Sequence, residues 1–212
     1  MTSAVADTGD VRVIVPGGAA APAGIPAGIF AAAVDTFAAG QRLDMRSLAQ
    51  RLGVGRATLY RRAGNRERLL DELLWWRARH LLVDQVRASA AMAGIERLVA
   101  VIGGVLRAVA RDRPLRAFLE SDPETALRLL TGSRSTVHRG MVSALEKLID
   151  LERDRGCFDT SLDTPTLAYA ITRISEGFLY ADVIADHAPD VDRARTVIEA
   201  LLAGLDRRSA PV

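Results

Sequence analysis

Between Gln41 and Arg68 the sequence carries eight arginines (42, 46, 51, 56, 61, 62, 66 and 68) against two acids, Asp44 and Glu67. This stretch is therefore +6, and because the whole chain is +2 the remainder carries −4. A guanidinium presents a planar fork of donors that matches a phosphate, or the N7/O6 edge of guanine. So local a concentration of such groups suits a polyanion, and nucleic acid in particular. A solvated helix face normally mixes both signs; a basic face with no partner is the plain alternative.

The elements that must position these arginines are legible in the same stretch. Asp44 can cap a helix with Leu48, Ala49 and Leu52 on one face. Gly53-Val54 makes a short turn, a second helix runs from about Arg56 to Arg62, and Asn65 caps a third that opens Arg66-Glu67-Arg68. Two short helices joined by a tight glycine-containing turn form the helix-turn-helix pattern. Ahead of them, Pro26 opens a helix that Gly40 ends, and its Ile29, Ala33 and Phe37 recur at helical spacing. Ile29 and Phe37 are expected to pack on Leu48, Leu52 and Leu59.

The geometry of that motif assigns roles. The N-terminal residues of the second short helix meet base edges in the major groove. Arg56 is then the candidate for a bidentate contact to guanine and Ala57 for a thymine methyl, with Thr58 and Arg61 close by. Tyr60, Arg62, Arg46 and Arg66 flank the reading face and are expected on phosphates.

No set of catalytic residues appears: there is no Gly-rich phosphate loop and no Gly-x-Ser-x-Gly elbow. His80, His138 and His187 fall on different elements without a second ligand at metal spacing, so neither metal nor cofactor is expected. The lone Cys157 allows no intrachain disulfide, which makes the cytoplasm the natural compartment, and it reads as a small packing residue near a turn. No apolar run approaches the ~20 residues of a membrane span. The acids at Asp150 and Glu152 read as a solvated helix face.

The remaining pattern is all-helical: an N-terminal three-helix helix-turn-helix domain followed by a helical domain for ligand binding and dimerisation. Residues 1–25 are low in complexity and read as a flexible arm, in which Val11 to Val15 could form a short strand. Residues 26–72 form the first domain, 73–207 the second and 208–212 a tail. Helices are expected over Arg66 to about Met92, Ile95–Arg111, two short pieces opening at Pro114 and Asp122-Pro123, Ser135–Arg155, Thr164 to about Asp186 and Asp190–Arg207. Gly103-Gly104 would let another backbone approach closely, or bend its helix. In the last helix Ile198, Leu201, Leu202 and Leu205 form a stripe with little left in one chain to cover it, so a homodimer through the last two helices is expected.

Tyr169, Arg173, Glu176 and Tyr180 stand at i, i+4, i+7 and i+11 on a helix that is otherwise apolar nearly all round. Either Arg173 and Glu176 satisfy each other, or form a polar seam in a dimer, or the stripe faces a pocket walled by Trp76, Ile102, His138 and Met141. Trp76 could equally be core at the domain junction.

Over residues 27–75 the sequence resembles the DNA-binding domain of TetR/AcrR-type one-component regulators. Leu48-Ala49, Gly53-Val54, Thr58-Leu59-Tyr60 and Arg66-Glu67-Arg68-Leu69-Leu70 carry the likeness. Arg62-Ala63 replaces the usual His-Phe and Arg66 the usual Lys. The segment Arg173 to Ile184 more faintly resembles the QsdR-like branch, which is linked to lactone catabolism. The resemblance implies a repressor that binds double-stranded operator DNA as a homodimer and is released by a small, largely apolar effector, lactones included. A DNA-binding regulator or architectural protein with no effector is the alternative.

Overall fold

The computed structural model describes residues 3–16, 22–181 and 189–209. Among them the chain is all-α. Its N-terminal half contains α1 (Ser3–Ile14), α2 (Ala27–Ala38), α3 (Met45–Arg51), α4 (Arg56–Ala63) and the long α5 (Arg66–Ala88). After it come α6 (Gly94–Ala110), α7 (Arg113–Ser121), α8 (Pro123–Thr131), α9 (Thr136–Asp154), α10 (Thr164–Glu176) and α11 (Val191–Leu205). A π-helical turn, Gly177–Ala181, continues α10, and a 3₁₀ turn, Arg207–Ser209, follows α11. The expected extension of α10 to Asp186 lies partly outside the described residues. Among those described, no helix is long and apolar enough to cross a membrane.

The helix starts follow the capping residues. Asp44, Asn65 and Asp163 each accept the backbone N–H three residues on, at 2.8, 2.8 and 2.9 Å. Asp44 and Asp163 are held below the usual carboxylate range, first by those backbone hydrogen bonds. Between α3 and α4, Val54 N–H bonds the Ala49 carbonyl and Gly53 N–H that of Gln50, with Gly53 at φ 64°. This double bond across a left-handed glycine is a Schellman stop, and it sets the turn of the motif.

The helix α5 is the spine. It packs on α1, α2, α6, α8 and α9, and runs unbroken across the expected domain boundary at residue 72. It approaches α9 so closely that a Cβ at Gly140 would lie 2.4 Å from the Trp75 ring. Gly103 and Gly104 of α6 admit side chains, not backbone: Arg195 of α11 at one, Gln85 of α5 at the other.

Three expectations are corrected. The expected flexible arm is helical over Ser3–Ile14, and the expected strand at Val11 to Val15 is that helix's end and the residue after it. Val11, Ile14 and Val15 are buried against α5 and α9, because the amphipathic end of α1 finds an apolar seat there. Glu152 is not solvated: it is 0% exposed. Its Oε1 accepts from Arg97 Nη1 (2.9 Å) and Arg155 Nη1 (3.3 Å), and its Oε2 from Gly94 N–H (2.6 Å). Asp10 closes the cluster, accepting from Arg97 Nη2 (2.8 Å) and Arg155 Nη2 (2.7 Å). Finally, the stripe on α11 is covered within the chain. Ala194, Ile198 and Leu202 are buried and α11 packs along α6, while Leu201 and Leu205 remain half-buried. The last residue ahead of the expected tail is likewise tied down, by Arg207 N–H to the Asp159 carbonyl (2.9 Å).

Candidate nucleic-acid interface and ligand cavity

Leu59 and Ala63 fasten α4 to the core; both are 0% exposed. With that face buried, helical geometry turns Arg56, Ala57, Tyr60, Arg61 and Arg62 outward, all exposed, with Thr58 half-buried beside them. Arg46 of α3 is exposed as well. Among the described residues the guanidinium groups of Arg46, Arg56, Arg61 and Arg62 have no acidic or hydrogen-bonding partner, so their charge is available to an external anion. Arg51 differs: it pairs with Asp35 at 3.0 Å. Ala63, standing where the family's pattern has an aromatic, leaves the seam closed.

Arg66, expected on a phosphate, is instead committed inside the chain. Its Nε donates to the Leu43 carbonyl (2.8 Å), just ahead of α3, and its Nη1 to Asp122 (2.9 Å), the residue before α8. Asp122 stays ionised, held low by Thr125 and then by Arg66. One side chain thus ties the entrance of the basic motif to α8. Around it, Arg128 of α8 forms a two-pronged pair with Glu67 (2.9 and 3.0 Å), and Asp71 of α5 accepts from the Thr136 hydroxyl. Phe37 of α2 meets Phe118 of α7 edge-on, ring centroids 5.9 Å apart.

Behind this junction lies a cavity of about 90 Å³, lined from α1, α5, α6, α8, α9, α10 and the π turn. Of its described lining only Thr172, Ser175, Glu176 and Tyr180 are polar; the rest is apolar, including Ile102 and Met141. A π turn is an unusual element that often marks function. Here it begins directly after Glu176 and carries Tyr180 into the cavity wall.

The polar stripe of α10 is therefore divided. Glu176 and Tyr180 line the cavity; Tyr169 and Arg173 do not. Tyr169 is 49% exposed. Arg173 donates to the Thr131 carbonyl (2.7 Å) and to Glu176 (2.7 Å), and lies over the Tyr169 ring. The face of the helix that lines the cavity is centred on Ile171, Thr172, Ser175 and Leu179, so the stripe lies at its edge and only its last two members reach in. His138 is buried behind Glu176, its Nδ1 2.6 Å from the carboxylate, and does not reach the cavity. Trp76 does not line it either. Its ring meets Phe30 of α2 edge-on at 5.6 Å and His80 at 4.1 Å, which makes it the junction residue. His187 lies outside the described residues.

Sequence reading missed two contributors. Ile14 of α1 completes the cavity wall, and nothing in a low-complexity segment announces it. Arg97 is the largest fully buried side chain among the described residues, and the signal for it was present: an arginine set among Leu98, Val99 and Val101 needs an acidic partner.

Comparison with known proteins matches residues 93–203 to the family described as tetracyclin repressor-like, C-terminal domain. The chain is similar to the solved transcriptional repressor QsdR from the TetR family of R. erythropolis, at 31% identity. That match covers 84% of this chain and 94% of the other, with a TM-score of 0.72. It is also similar to the fatty acid degradation regulator FadR of Bacillus halodurans at 23% identity, over 83% and 96% of the two chains, with a TM-score of 0.56. This second likeness bears on the fold alone. No protein of curated function matches the chain.

Proposed function

The chain belongs to the TetR family of transcriptional regulators, and on that premise we propose that it is a repressor released from its operator by a small, largely apolar effector. The observation that carries this reading is that one residue, Arg66, joins the entrance of the basic motif to a helix whose Leu130 lines the cavity.

In this reading α4 enters the major groove. Arg56 addresses a guanine and Ala57 a thymine methyl, Thr58 and Arg61 stand beside them, and Arg46, Tyr60 and Arg62 hold phosphates. Two copies supply two half-sites about 34–36 Å apart. The dimer face is the exposed side of α11 carrying Val197, Ala200 and Gly204, next to half-buried Leu201.

Induction follows from the size of the cavity. At about 90 Å³ it is smaller than the ~150 Å³ cavity that accepts benzene, so an effector fits only as the walls part. An effector that binds the parted form better shifts the population toward it. Movement of α8 then pulls on Asp122 and, through Arg66, on the loop that opens α3. Lactones are the first class to test, given the likeness to QsdR.

Selection of duplexes from a random pool, followed by mobility shifts, tests the reading. A two-fold symmetric site is expected, with affinity falling steeply as salt rises. Arg56→Ala should cost about 1–3 kcal/mol at one base pair and relax preference there. An equal loss on every sequence would move Arg56 to the phosphates. Light scattering of the same sample should give a dimer; a monomeric mass at micromolar concentration removes the symmetric model.

A second expectation concerns Arg66. Arg66→Ala and Asp122→Asn should each leave the operator affinity of effector-free protein within about threefold, a shift of under 1 kcal/mol, while effector loses most of its power to release DNA. A large loss of affinity together with a flatter salt dependence would instead return Arg66 to the phosphate contacts.

A further inference from the structure

The polar atoms of the cavity are almost all committed within the chain. Thr172 Oγ1 donates to the Ala168 carbonyl and Ser175 Oγ to that of Ile171, each at 2.8 Å. The two oxygens of Glu176 are engaged by His138 and Arg173, and neither of those side chains lines the cavity. Among the described residues no Arg, Lys or His lines it, and Glu176 is the acid that an occupant would face.

Tyr180 differs from the others. It lines the cavity, is only 8% exposed, and among the described residues its hydroxyl has no hydrogen-bond partner. Burial, and after it the charge of Glu176, push its pKa up, so at neutral pH it is a proton donor. Its hydroxyl is a donor at the wall of a largely apolar cavity with no acceptor from the described residues, so an occupant that supplies an acceptor gains a hydrogen bond there.

We infer that the effector is an uncharged molecule with one strong hydrogen-bond acceptor on an apolar body, such as a lactone, ester or ketone carbonyl, received by the Tyr180 hydroxyl. The inference rests on the effector reading above and narrows it. A free carboxylate is rejected, because it would be desolvated with no cation to meet it and Glu176 beside it. An amine gains little, because Glu176 is already compensated by Arg173 on its other oxygen. A pure hydrocarbon fills the cavity but leaves the Tyr180 donor unanswered.

Four probes of similar size test this on the full chain by titration calorimetry at neutral pH: γ-hexalactone, hexanoate, hexylamine and propylcyclopentane. The lactone is expected to bind at least tenfold more tightly than each of the other three. Tyr180→Phe, which keeps the ring volume, should erase the advantage of the lactone over the hydrocarbon while both still bind. Glu176→Gln should narrow the gap between lactone and hexanoate, since the charge that repels an anion is then gone. Hexanoate or hexylamine binding as tightly as the lactone overturns the inference. So does an unchanged lactone-to-hydrocarbon ratio in Tyr180→Phe, or no binding of any probe at millimolar concentration. Those failures leave operator binding untouched. Conversely, lactone binding without any operator binding would overturn the repressor reading and leave the cavity chemistry standing.

Discussion

Glu152→Ala is expected to destabilise the chain by about 3–5 kcal/mol, read as a lowered midpoint in urea unfolding followed by circular dichroism. Glu152 and Arg97 are both 0% exposed, and Glu152 holds Arg97, Arg155 and the Gly94 N–H at once. Truncation leaves Arg97 buried with Asp10 as its remaining acid, while its Nε already lacks a partner. It also strands the Gly94 N–H. A total stability of ~5–15 kcal/mol makes that a large fraction of the whole. The contrast is Glu67→Ala, which removes an equally well-formed pair with Arg128, but one that is about half exposed. Solvent screens that pair, and its loss should cost ~1 kcal/mol or less. If both variants cost the same small amount, water reaches the cluster and the helix α1 is not anchored by charge.

Arg46→Ala and Arg62→Ala combined are expected to flatten the salt dependence of operator binding. Each phosphate that is no longer neutralised takes about 0.9 off the slope of log affinity against log salt, so four of them in a dimer take off roughly 3.6. These two side chains are exposed and have no partner within the described residues, so their removal should leave the melting temperature nearly unchanged. The variant's sequence preference should persist on whatever binding remains, because phosphate contacts position without specifying. An unchanged slope in a folded variant would place the phosphates on another surface. Arg51, already paired with Asp35, serves as the internal comparison and should change the slope less.

What the sequence by itself determined is local. The caps Asp44, Asn65 and Asp163, the left-handed Gly53 and the helical spacing of Ile29, Ala33 and Phe37 operate within a few residues of each other. They specify the helices, the turn and the outward arginines of α4 whatever the rest of the chain does. The likeness of residues 27–75 to TetR-type regulators rests on the same short-range pattern. Only the tertiary structure decided the partners. Arg66 faces Asp122, 56 positions away, and so ties the basic motif to α8. Asp10 meets Arg97 across 87 positions, turning a featureless N-terminal segment into a helix that walls the cavity through Ile14. His138 meets Glu176 across 38, which leaves Tyr180 as the uncommitted donor among the described lining residues. The stripe on α11 was read correctly as apolar, but α6 covers it before a second copy can. The reason is common to all four. Helix propensity and capping are settled by neighbours in sequence, whereas a charge or an apolar face is satisfied by whatever the packed core brings within a few ångströms. A one-dimensional pattern does not contain that distance.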